Sequence, residues 1–160
     1  MAYAVVRLKS SRDKTQKTKD TLEMLRLNSV NHCTVIPESP TYKGMLKKVK
    51  DLITWGEIDI ETMVSLLERS SGMARDELEE KISERTSYDK IDQFAIAVTS
   101  DKVLLSDIEG LDRVFRLNPP KGSYQSIKKA YNMGGALGYR GSDINSLIQK
   151  MLNSGTDQEV

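Results

Sequence analysis

The sequence predicts a mixed α/β protein. A β-α-β-α-β core covers residues 1–58, a helical and acidic middle covers 59–111, and a basic, glycine-rich extension with a final helix covers 112–160 and forms one compact unit with the core. Three observations carry this. Short β-branched and aromatic runs recur at 3–8, 32–37 and 53–58, separated by polar stretches of helical period. Apolar stripes of helical spacing fill the middle and return near the end. Charge is partitioned: residues 1–50 carry eleven Lys/Arg against four Asp/Glu, 51–111 six against fifteen, 112–141 six against one, and 142–160 one against three.

Residues 3–8 (YAVVRL) read as the first strand. A helix is predicted from near Asp13 to about Leu27, with Leu22, Met24, Leu25 and Leu27 as its apolar contacts. Residues 32–37 (HCTVIP) form the second strand, ended by Pro37 and Pro40. The second helix places Met45, Val49, Leu52 and Ile53 at i, i+4, i+7 and i+8, with Lys43, Lys47, Lys48 and Lys50 on other faces. A third strand is expected at 53–58 despite Gly56 within it. With both helices on one face of the sheet, the other face needs a cover or is a working surface.

Asp59 is the expected N-cap of the next helix, whose stripe is Ile60, Met63, Val64 and Leu67 and whose end is Gly72. The acidic stretch 75–84 is anchored by Leu78 and Ile82. Ile91, Phe94, Ala95 and Val98 fit a helix, although FAIAV also fits a strand. Residues 114–117 (VFRL) read as a short strand and 118–122 (NPPKG) as a rigid turn. Residues 123–141 read as a long irregular segment, expected to be mobile in the free protein and ordered by a partner. A helix then opens at Asp143 with Ile144, Leu147, Ile148 and Met151 inward, and 153–160 is a polar tail.

Several functional classes are disfavoured. No run approaches 18 apolar residues, and the first residues lack the basic and apolar regions of a signal peptide. Cys33 is the single cysteine, so no intrachain disulfide forms, which suits a reducing cytosol. His32 is the single histidine, so no Cys/His spacing supplies a metal site. His32 and Cys33 are adjacent on a strand and point to opposite faces, so they make no nucleophile–base pair. Gly134, Gly135 and Gly138 lack the lysine and hydroxyl of a nucleotide-binding loop. No enzyme activity, cofactor, small-molecule substrate or membrane partner is expected.

What remains is cationic. Arg7, Lys9, Arg12, Lys14, Lys17 and Lys19 follow the first strand and enter the first helix, where cations run against the helix dipole. Lys43, Lys47, Lys48 and Lys50 decorate the second helix. Lys128, Lys129, Tyr131 and Arg140 flank the glycines, whose bare backbone admits a phosphate chain. Solvated helix faces and a disordered loop are the plain alternatives. Tyr42 and Tyr131 either stack on a base or pack internally.

The stretches TLEMLRL (21–27), VNHCTVIPESPTYKGMLKKVKDLITWGEI (30–58), RLNPPKG (116–122), GGALGYRG (134–141) and DINSLIQKML (143–152), in this order, resemble the ribosomal large-subunit protein family numbered thirty in bacteria and archaea and seven in eukaryotes, in its archaeal form. No single motif is diagnostic, but the ordered set is specific. The resemblance implies a ferredoxin-like core, a C-terminal RNA-binding extension absent from bacterial members, and a structural role on large-subunit (23S) rRNA beside 5S rRNA and neighbouring ribosomal proteins. Carried over by position, the contacts it implies are Arg7, Lys9, Arg26, Asn31, His32, Tyr42, Lys43, Gly44, Lys48, Lys121, Lys128, Lys129 and Arg140. The basic and glycine pattern adds Arg12, Lys14, Lys17, Lys47, Tyr131, Gly134 and Gly135. Eukaryotic members carry a long basic N-terminal extension, and this chain begins at strand one, as an archaeal member would. The acidic middle, 57–92, matches less sharply and is expected to face away from RNA. An RNA-binding assembly factor and a protein-binding adaptor that uses the sheet are the alternatives.

Overall fold

A computed structural model of the chain describes residues 2–10, 14–70, 75–85, 87–88, 90–100, 102, 114–117 and 126–153; the side chains of 69, 70, 75, 85, 126–129, 132 and 153 are outside that description. Strand β1 (Tyr3–Arg7) is buried along its whole length. It lies between β2 (His32–Ile36) and β3 (Ile53–Glu57), antiparallel to both. The strands β4 (Val114–Arg116), β5 (Ser126–Ala130) and β6 (Gly135–Tyr139) complete a six-stranded sheet of order β4-β2-β1-β3-β6-β5.

Alternation along β1 divides the core. Tyr3 and Val5 face Leu22, Leu25 and Leu27 from the α1 (Gln16–Met24) region, Leu46 of α2 (Pro40–Lys48), and Val49 and Leu52 just after it. Ala4 and Val6 face the opposite cluster, built from α3 (Ile60–Ser70), α4 (Arg75–Arg85), α5 (Ile91–Thr99) and α6 (Asp143–Asn153). Both sheet faces are therefore covered by helices, α1 and α2 on one and α3 to α6 on the other. This resolves the open choice left by the sequence, since the second face is a core and no bare platform for an adaptor.

Helix boundaries follow their caps. The Thr15 hydroxyl accepts the Thr18 N–H, so α1 starts later than Asp13, itself outside the described residues. The helix closes at Met24, short of the predicted Leu27. The Leu27 N–H reaches back to Leu22 O at 2.9 Å and the Arg26 N–H to Glu23 O at 2.9 Å, with Arg26 at φ 63. This is a Schellman ending, and it leaves Met24 68 % exposed where an apolar contact was expected. Ser39 caps α2 through the Tyr42 N–H, with Pro40 in the first turn. That helix also stops early. Leu52 and Ile53 belong to the following turn and β3, so the buried positions are Leu46 and Val49, with Met45 only half-buried.

Asp59 caps α3 by accepting the Thr62 N–H at 2.7 Å, as expected. The buried stripe is rotated to Met63, Leu66 and Leu67, and Ile60 is exposed. Leu78 and Ile82 anchor α4, and FAIAV is helical within α5. Strands β3 and β4 each end one residue short of the sequence expectation, at Glu57 and Arg116. Gly56 fits β3 for a steric reason: a Cβ there would lie 1.9 Å from Gly141 O. Gly72, the turn 118–122 and the tail beyond Asn153 lie outside the described residues.

The reading of 123–141 as irregular is corrected for its described part, 126–141, which is mostly regular structure. Residues 126–139 form β5, a 3-10 turn (Tyr131–Met133) and β6, and β6 pairs in parallel with β3. Few apolar residues suffice because two, Ala136 and Leu137, are buried, and polar side chains add specific bonds. The Arg140 guanidinium donates to Thr54 Oγ1 at 2.8 Å and to Ala136 O at 2.6 Å, and Thr54 Oγ1 donates to Gly138 O. Gly134 and Gly138 take φ of 85° and 87°, a region L residues avoid.

Candidate nucleic-acid interface

Four segments converge at the Arg7 end of the sheet. The Leu8 and Lys9 N–H groups both donate to Leu52 O, at 2.8 and 3.2 Å, which joins the end of β1 to the α2–β3 turn. The Asn31 N–H donates to Arg7 O at 2.8 Å, and the Leu117 N–H to Asn31 O at 3.2 Å, which adds the α1–β2 turn and β4. Register places Arg116 opposite His32. One end of the sheet thus collects Arg7, Lys9, Arg26, His32, Lys50 and Arg116, and the last turn of α2 brings Lys47 and Lys48 toward it.

These groups differ in availability. Arg7 is buried; its Nε donates to Lys9 O at 3.0 Å and one terminal nitrogen to Leu27 O at 2.7 Å. Burial pulls its pKa below the ordinary arginine value. It remains a cation that braces the α1–β2 turn from beneath. Lys9 is half-buried, whereas Lys14, Lys17, Arg26, Lys47, Lys48, Lys50 and Arg116 are exposed. His32 is half-buried, and its Nδ1 is enclosed without a hydrogen-bond partner among the described residues. Burial, then Arg116 and Arg7, hold its pKa below 6.5, so the ring is neutral at pH 7. Asn31 takes φ 71, the left-handed region that asparagine tolerates.

Other expected contacts are engaged internally. Lys43 pairs with Glu38 at 3.0 Å, and the Tyr3 hydroxyl donates to the same carboxylate at 3.2 Å. Tyr42 packs against the α1/α2 core. Tyr131 donates its hydroxyl to Asp143, and the Arg140 guanidinium lies 4.7 Å from its ring centroid. Tyr131 and Arg140 therefore serve each other and the β3–β6 joint. Gly135 is buried and Gly134 is exposed at its turn. Arg12 and Lys121 lie outside the described residues; Lys128 and Lys129 contribute backbone to β5.

Sequence reasoning passed over Arg116. The signal was present in VFRL: Phe115 is buried under α3–α6, so by alternation Arg116 emerges on the His32 side.

Two exposed positions break local rules. Gly44 sits inside α2, where glycine costs about 1 kcal/mol relative to alanine. A Cβ there would meet nothing within 4 Å, so the fold has no steric need for it. Arg26 occupies the left-handed position of the Schellman turn, where glycine is favoured and an L side chain costs roughly 1–2 kcal/mol.

Carboxylates are concentrated on the other face, although Asp20, Glu23 and Asp51 also sit in the α1/α2 layer. Helix α4 carries five of them against three cations, with Glu77, Glu80 and Glu84 exposed, and it packs on the opposite sheet face. Cys33 also faces that layer, and burial pushes its thiol up to about 12. It is an inert core group on the other side of β2 from His32. Among the described residues, no set of three or more His, Cys, Asp or Glu side chains could hold a metal ion. No helix among them is long and apolar enough to cross a membrane.

Comparison with known proteins decides the family. The profile of Ribosomal protein L30p/L7e matches residues 3–53. The large ribosomal subunit protein uL30 of Methanocella arvoryzae is 43% identical over 151 residues, covering 93% of this chain and 99% of its own length. The chain belongs to the uL30 family. The uL30 protein of Thermoplasma acidophilum is 44% identical over 156 residues, covering 96% of this chain and 94% of its own. That of Methanococcus vannielii is 45% identical over 155 residues, covering 95% and 100%. The family profile spans β1 through the start of β3, which includes every element of the α1/α2 layer. The uL30 relatives also match across the acidic helices and the β5–β6–α6 extension.

Proposed function

We propose that this chain is a structural constituent of the large ribosomal subunit that binds 23S rRNA, close to 5S rRNA and neighbouring ribosomal proteins, by neutralising phosphates and fitting the shape of folded RNA. Membership of the uL30 family supports the ribosomal assignment. The observation that carries the RNA reading is the convergence of cations from four segments at the Arg7 end of the sheet, with the carboxylate-rich helix α4 on the opposite face. Folded RNA is recognised mainly through its backbone and shape, which suits lysines and arginines on a rigid layer. The contacts we assign to RNA are Lys9, Lys14, Lys17, Arg26, Asn31, His32, Gly44, Lys47, Lys48 and Arg116. Arg7 acts from beneath by holding the carbonyls of Lys9 and Leu27, and Arg140 secures the β3–β6 joint.

The test is binding of the purified chain to large-subunit rRNA across a salt series. Each neutralised phosphate contributes roughly −0.7 to −0.9 to the slope of log K against log salt. A steep slope is expected, together with co-sedimentation with mature large subunits at moderate salt. A flat slope contradicts the reading, and departure with precursor particles alone favours the assembly-factor alternative.

A further inference from the structure

The end of the sheet opposite Arg7 has a different chemistry. Register sets Arg7 opposite Ile53 and Tyr3 opposite Glu57, so β3 runs away from the cations, and β6, parallel to it, ends beside it at Tyr139. The α1/α2 cover ends over β3. Trp55 is half-buried at its margin. Tyr139, paired with Trp55 and with its ring centroid 6.3 Å away, is 51 % exposed. Its hydroxyl donates to Glu57 Oε1, which leaves Oε2 without a partner among the described residues.

Carboxylates frame the two rings. Asn145 is buried; its side-chain amide donates to Glu57 O at 3.1 Å and accepts the Asp59 N–H at 3.0 Å, which clamps the exit of β3 to the first turn of α6. Asp59 and Asp143, both exposed, are thereby held close to Glu57. Lys43 and Arg140 reach this end but are already engaged, Lys43 with Glu38 and Arg140 with Thr54 Oγ1 and Ala136 O. Rings alone would suit a nucleic-acid base as well as a protein side chain. The carboxylates decide, because they repel phosphate and attract cations. A guanidinium can stack on an aromatic face and pair with a carboxylate at once.

We propose that the Trp55–Tyr139 ledge docks an arginine-bearing extended segment of a neighbouring protein, with an arginine stacked on Tyr139 and paired with Glu57. The ledge lies at the far end of the sheet from the RNA-facing cations, so one chain holds both partners at the same time. The inference goes beyond the rRNA reading and rests on the ribosomal assignment only for where the partner is met.

The experiment titrates the full chain with a short synthetic peptide carrying arginine at alternate positions, with its lysine counterpart, and with a single-stranded uridine oligomer, reading backbone amide shifts by NMR. The arginine peptide moves the amides of 55–59 and 139–143 and binds more tightly than the lysine peptide. Tyr139→Ala weakens its binding about fivefold and Glu57→Gln about threefold, whereas Tyr139→Phe, which keeps the ring, stays within about twofold. Lys47→Ala with Lys48→Ala leaves peptide affinity within about twofold, since those residues lie apart from the ledge. In assembled large subunits, a photoreactive benzophenone side chain in place of Tyr139 cross-links to a protein segment that contains arginine. Equal peptide affinity in wild type and Tyr139→Ala overturns the proposal. So does a uridine oligomer that moves the same amides and binds more tightly than the peptide. An adduct with rRNA, with another part of this chain or with a segment lacking arginine overturns it as well. Wild-type protein that binds the peptide but not large-subunit rRNA removes the rRNA reading and leaves the ledge standing.

Discussion

The two helical layers of this small protein cover one sheet and yet differ in kind. The α1/α2 layer has a short core, and α2 carries three lysines and no carboxylate. The α3–α6 layer has the larger core, with Phe94, Met63, Leu66, Leu78 and Ile82 fully enclosed, and its helix α4 is rich in carboxylates. Thr15 opens α1 and Ser39 opens α2 with caps as sound as those of the second layer, and the two layers differ in the charge of their first turns. Asp59 caps α3, and acidic residues occupy the first turns of α3, α4, α5 and α6. The first turns of α1 and α2 contain none. A layer built to stabilise sets carboxylates at its helix N-termini, whereas a layer built to meet a polyanion leaves them off.

That contrast can be broken first through the larger core. Phe94→Ala should lower stability to urea by about 3–5 kcal/mol, since a fully buried ring leaves a cavity. The fraction that remains folded at low temperature should bind rRNA as wild type does. Lost affinity in the folded fraction would show that the two layers are not separable.

Charge reversal comes next. Lys47→Glu with Lys48→Glu should weaken rRNA binding at least about a hundredfold, close to 2.8 kcal/mol, because two attractions become repulsions. Glu77→Lys with Glu80→Lys on α4 should change it by less than about threefold. Comparable effects from both pairs would erase the distinction between the layers.

Much of this was legible in the sequence, for physical reasons that can be named. The β-α-β-α-β order was readable because the strands are short β-branched runs separated by polar stretches of helical period. Leu78 and Ile82 were readable as anchors because nothing else in α4 is apolar. Residues 126–141 were misread because their order rests on long-range bonds. Arg140 to Thr54 and β6 to β3 span more than eighty residues, and no local pattern encodes such pairs. The Arg140 bond to Thr54 was hidden by the same remoteness, and the Arg7 bond to Leu27 O by a turn geometry that the sequence pattern does not encode. A cation in a basic stretch looks like a surface contact until the carbonyls beneath it are known.

The junction between layers provides a third test. Gly56→Ala places a Cβ against the Gly141 carbonyl, so β3 and the turn before α6 must separate. We expect a loss of about 1–3 kcal/mol in thermal or urea unfolding. An unchanged midpoint would mean that the extension is not held against β3 in solution.

The smallest effect is a titration. The folded His32 has its pKa below 6.5, through burial first and then Arg116 and Arg7. Above pH 6.5 the ring is neutral in both states and adds no pH dependence. As pH falls through 6.5 the unfolded chain takes up the proton first, so stability declines until the folded value is passed. His32→Gln should remove that decline in urea unfolding between pH 7 and pH 5. A wild-type curve that gains stability toward acid in this window, with the variant flat, would reverse the assigned direction.

The division of labour between the layers is tested most directly by amide hydrogen exchange on the free protein and on its complex with large-subunit rRNA. We predict that protection rises on binding in α1, in α2 and in the turns around Arg26–Asn31 and Lys50–Leu52, while α4 exchanges equally in both states. Protection gained on α4 with α2 unchanged would contradict the account.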